Sequence, residues 1–169
     1  MRYASLTVTA LVAAMLFGTL VAPRHAAAQT VDAPSPIELA YFADTKVYRD
    51  RLGAYQEQLA SHQQAAIDGQ LDTVRMGDLS FLSRELFTAR NVFRDTIPSA
   101  RLDQYDRTVK LAIDRAYAAT TLLIHAQVTE SETDRATLIR EAGIQSQSSA
   151  RLLRDADDEL RMQLPGNTL

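Results

Sequence analysis

The chain reads as an all-α protein, an antiparallel up-down-up-down four-helix bundle behind an N-terminal secretory signal peptide. Three observations predict this. Apolar residues recur at three-and-four spacing along four long stretches. Only short connections marked by Gly69, Pro98 and Ser131 separate those stretches. A single uncharged apolar run closed by small residues precedes all of them.

Arg2 supplies a small positive region, Leu6 to Ala22 is uncharged and rich in Leu, Val and Ala, and Ala26-Ala27-Ala28 offers the small residues that signal peptidase requires. Residues 1–28 are therefore expected to be removed after Ala28. A buried first helix or an uncleaved anchor is the competing reading, since the run approaches the ~20 residues that span a bilayer. Pro23 and the alanine triplet directly after the run favour cleavage. No twin arginine precedes the run, which points to the general secretory route. The expected location is extracytoplasmic, periplasmic or secreted, with no membrane attachment after cleavage.

Residues 29–35 lack periodicity and contain Pro34, as a flexible leader should. A first helix is predicted over about 36–68 on the stripe Ile37, Tyr41, Tyr48, Leu52, Tyr55, Leu59 and Ala66, with Gly69 as its stop. The second, about 72–96, has Asp72 as N-cap and Leu79, Leu82, Leu86, Ala89 and Phe93 inside. Gly77 marks either a kink there or a later start at Asp78. The third, about 100–129, begins at Ser99 and turns Leu102, Tyr105, Val109, Ala112, Ile113, Ala116, Leu123 and Ile124 inward. The fourth, about 131–164, opens at Ser131 with Asp134 three residues on, and carries Leu138, Ala142, Leu152, Leu153, Ala156 and Leu160. Residues 165–169 form a tail. Rods of roughly 25 to 33 residues on such short connections must lie antiparallel to their neighbours.

Composition excludes several functions. Cysteine is absent, which removes disulfides, thiolate metal sites, covalent haem attachment and a cysteine nucleophile. Loss of Arg2 and Arg24 with the signal takes the formal charge from −3 to −5, a balance that disfavours nucleic acid. No G-x-S-x-G, Gly-rich phosphate loop, H-E-x-x-H, EF-hand loop or Glu-x-x-His repeat is found, so neither an enzyme nor a cofactor is expected. Asp155, Asp157, Asp158 and Glu159 interleave with Arg151, Arg154 and Arg161, as a solvated face does.

Three places remain as candidate sites. Gln145 and Ser149 fall on the inward stripe of the fourth helix, at the height of Tyr55 and of Ala112 and Ala116. Tyr48, Tyr55, Gln145 and Ser149 are thus either the lining of a small-ligand pocket or a closely packed layer, with Tyr55 to Gln145 as an internal hydrogen bond. Phe81 and Phe87 lie to either side of the second helix's stripe and form a candidate partner surface. His62 sits at the edge of its stripe while His125 falls in a polar sector, so His62 is only a weak metal or haem ligand. The leading expectation is a non-enzymatic interaction or structural module with an unknown protein partner or self-association. The alternative is a ligand-binding bundle, and a metal or haem carrier follows.

Overall fold

Pro36 has no backbone N–H and a fixed φ, so it belongs at the start of a helix. In the computed structural model, which describes residues 33–164, Ser35 caps that start. Its Oγ accepts from the Glu38 N–H, and the Glu38 carboxylate accepts from the Ser35 N–H in return. Helix α1 spans Pro36–Arg49, α2 Leu52–Ile67, α3 Thr73–Asp95, α4 Asp103–Val128 and α5 Glu132–Gln163. Among the described residues there is no strand.

The first rod, expected to be continuous over 36–68, is two helices. Asp50 and Arg51 stay right-handed (φ −64°, ψ −22° and φ −96°, ψ −12°), but the Arg51 N–H reaches back only three residues, to Tyr48 O at 3.0 Å. Tightened winding of this kind ends one α-helix and begins the next without a loop. The inward ribbon also differs at its start: Ile37 is 62% exposed, and Glu38 takes the buried position. The α3–α4 connection draws it in, since Ser99 Oγ donates to Glu38 Oε1 at 2.9 Å and Arg101 Nε stands 3.7 Å from the same oxygen.

Gly69 ends α2 as expected. Its φ of 68° is open to glycine at little cost, and it lets the Gln70 N–H close on Ala65 O and the Gly69 N–H on Ala66 O. Asp72 caps α3 by accepting from the Arg75 N–H at 2.8 Å. Gly77 neither kinks α3 nor delays it, for the helix runs unbroken from Thr73. Ser99 does not cap the next helix. Its hydroxyl is taken by Glu38, its carbonyl accepts from the Leu102 N–H, and α4 begins at Asp103. Ser131 caps α5 by accepting from the Asp134 N–H.

Leu79, Leu82, Leu86, Ala89 and Phe93 on α3 are buried, as are Leu102, Tyr105, Val109, Ala112, Ile113, Ala116 and Leu123 on the α4 side. Each large apolar side chain removed from water in this way contributes about 1.5–3 kcal/mol. The α5 stripe is different in kind. Its buried residues are Ala142, Gly143, Ser146, Ser149 and Ala156, while Leu138, Leu152, Leu153 and Leu160 are only half-buried. Small residues here, facing Ala112, Ala116, Ala119 and Ala126 on α4, let the backbones approach closely, and α4 with α5 is the most extensively packed pair.

Polar contacts record the register. Ser149 meets Ala112 and Gln145 meets Arg115 between α5 and α4, so position rises on one as it falls on the other. Arg90 with Asp114 and Phe87 with Tyr117 do the same for α3 and α4. Among the described residues no helix is long and apolar enough to cross a membrane.

Candidate functional site

A partly open seam runs between α2 and α5. Gln56, Ala60, Gln63 and Ile67 follow one another at four-three-four spacing along α2, and so share a face. Ala136, Gly143 and Ala150, seven apart, do the same on α5. Between them lies a cleft of about 530 Å³ lined by Gln63, Ile67, Ala136, Ile139, Arg140, Gly143, Ile144 and Gln147. A second cleft of about 420 Å³ shares Gln63, Ile67 and Gln147 with it and continues to Gln56, Ser146 and Ala150. Ile67 and Ile144 stand 59% and 60% exposed on its walls. The floor is shallow because its residues are small, and a Cβ on Gly143 would collide with the Gln63 amide. Ser149 closes it from below, accepting from Gln56 Nε2 at 2.7 Å and donating to Ala112 O at 2.6 Å.

The four residues proposed for a central pocket are not brought together. Tyr55 is buried, but its hydroxyl donates to Glu85 Oε2 on α3 at 2.9 Å, where Arg51 also pairs at 3.1 Å. Burial, and then the Glu85 carboxylate, push its ionisation upward. Gln145 turns outward and accepts from Arg115 at 2.9 Å. Ser149 serves Gln56 and Ala112, and Tyr48 is half-buried against the core. The expected Tyr55–Gln145 bond therefore gives way to two others. The reason is angular: one residue is 100° of helix, so Tyr55 faces α3 while its neighbour Gln56 faces α5.

Other buried polar groups were not singled out from the sequence. Asp106, 2% exposed, accepts from the Tyr41 hydroxyl at 3.0 Å and pairs with Lys110 at 2.6 Å. Burial first, and then the Asp106 charge, drive the Tyr41 phenol far above its ordinary range. Burial also pushes Tyr105 up to about 12. Desolvation works against the Glu38 carboxylate, but hydrogen bonds from Ser35 and Ser99 and the charge of Arg101 outweigh it and hold it below its ordinary value. These groups fasten α1 to the rest of the fold.

No family model, no curated protein and no solved structure matches this chain. The surfaces must speak for themselves. Phe81 and Phe87 are 55% and 47% exposed, but they serve opposite flanks of α3. Phe87 rests on Tyr117 of α4 with ring centroids 5.9 Å apart, whereas Phe81 lines a cleft towards α2 with Gln58, Ser61, His62, Arg75 and Asp78. They make no common patch. His62 is 8% exposed, His125 is exposed, and among the described residues no three His, Asp or Glu side chains converge as a metal site would need.

Proposed function

We propose that this chain is an exported, non-enzymatic interaction module that folds as an up-down-up-down bundle and seats a helical segment of a protein partner in the groove between α2 and α5. The observation that carries this is the groove itself. Small residues along its floor and two half-exposed isoleucines on its walls offer what an amphipathic helix needs for its apolar face. The antiparallel register of contacts between α3 and α4 and between α4 and α5 supports the bundle topology. The apolar run and alanine triplet before Gln29 support export.

Site-specific photo-crosslinking in exporting cells tests the reading. A crosslinker at position 144 should capture one defined partner, and Ile67→Glu in the same chain should abolish the product. Capture from position 87 with none from 144 would move the interface to the aromatic flank of α3 and end the groove reading. The exported protein should begin at Gln29; a first residue of Met1 would end the export reading.

A further inference from the structure

The cleft between the second half of α2 and the first half of α3 has the parts of a small-molecule site independent of the groove. Its volume is about 470 Å³, and Gln58, Ser61, His62, Arg75, Asp78 and Phe81 line it. That volume lies within the range of ligand pockets, roughly 300–1,000 Å³. His62 is more than nine-tenths buried, and its Nδ1 is sealed from solvent with no hydrogen-bond partner among the described residues. An unmet lone pair costs less than an unmet N–H at such a place, so the proton of the neutral ring belongs on Nε2, on the side of the ring left to the cleft.

Arg75 and Asp78 are one helical turn apart, at a spacing where opposite charges commonly pair. Among the described residues neither takes part in an ion pair within 4.0 Å. A cation and an anion thus line the cleft side by side, together with the buried His62 ring. Phe81 adds the fourth element. Its ring is half-exposed, with the Arg84 guanidinium 5.8 Å from the centroid, and α3 fixes it one turn beyond Asp78.

We infer that this cleft binds an aromatic α-amino acid, its carboxylate against Arg75 and the His62 Nε2–H, its ammonium against Asp78 and its ring against Phe81. The two adjacent, oppositely charged side chains match the two charges of a zwitterion, and a lone carboxylate or a lone amine would leave one of them unanswered. A charged guanidinium and a carboxylate also form the stronger class of hydrogen bond.

The test uses the purified protein and three probes: L-phenylalanine, 3-phenylpropionate and phenethylamine. Imidazole ring signals in NMR provide the readout, with the exposed His125 as internal reference. L-Phenylalanine should shift the His62 signals and leave those of His125 in place, and should bind about tenfold more tightly than either single-charge probe. Arg75→Gln should weaken L-phenylalanine and 3-phenylpropionate about tenfold and leave phenethylamine unchanged, and Asp78→Asn should do the reverse for the two amines. Asp78 is exposed and Arg75 half-buried, and circular dichroism of each variant establishes that its fold is kept. No His62 shift with any probe at about 10 mM, or binding insensitive to both substitutions, would overturn the proposal.

Discussion

The two flanks of the first rod are held by opposite means. At its start, α1 is tied by buried polar groups: Glu38 to Ser99 and Arg101, and Tyr41 to Asp106. Further along, α2 meets α5 across a shallow cleft, and Gln56 donates to Ser149 across it. The contrast teaches that burial in this molecule follows the need to hold an element in place, while apolar side chains are left uncovered where the seam stays open. Ile37 points outward beside a buried glutamate, and Ile67 and Ile144 stand in water beside buried serines.

The sharpest way to break this comparison is at Asp106. Asp106→Ala strands the Tyr41 hydroxyl and removes the partner of Lys110, and should cost about 3 kcal/mol in chemical denaturation. A loss below about 1 kcal/mol would mean that the Tyr41–Asp106 contact does little to hold α1 against α4. Ser149→Ala should cost about 1 kcal/mol, since Gln56 loses its acceptor while the Ala112 carbonyl keeps its helical bond. At the open seam, Ile144→Glu should change stability by no more than about 0.5 kcal/mol, because the side chain is already in water.

Acidity separates the regions by a different measure. Desolvation, the leading effect, lowers the His62 pKa from 6.5, with Asp78 opposing and Arg75 assisting. The unfolded chain therefore takes up the proton first, and stability should begin to fall as the pH drops below 6.5, a slope absent in His62→Gln. Glu38, held below 4.5 in the fold, should add a second loss as the pH drops below that value. Glu38→Gln should shrink that lower limb and leave the upper one in place. Urea midpoints measured across this range decide both, and a flat profile between pH 6.5 and 4.5 would contradict the first.

Much of the helical layout was legible from spacing. The α3 stripe from Leu79 to Phe93, the Gly69 stop and the Asp72 and Ser131 caps all stand where local rules put them. What spacing missed depends on partners distant in sequence. Ser35 and Glu38 spell a capping box that the chain does display, but the burial of that glutamate follows from Ser99, 61 residues away. Asp106 shares the inward register of Leu102 and Val109, so its position was readable and its partner Tyr41 was not. The central layer failed by a single residue, since an angular step separates Tyr55 facing Glu85 from Gln56 facing Ser149. The open groove left no signal, because alanine and glycine read alike in a tight interface and in an uncovered one.

The alanine and serine seam between α4 and α5 has a consequence for how the chain comes into being. Synthesis runs from the amino end, so α4 emerges before the helix it packs against most extensively. Until residues beyond 132 arrive, α4 can pack only against the earlier helices, and its alanine face waits for α5. The hairpin of nearby contacts that then closes is of the quick-forming sort. Two helices joined by so short a connection meet at little entropic cost once the second of them has formed.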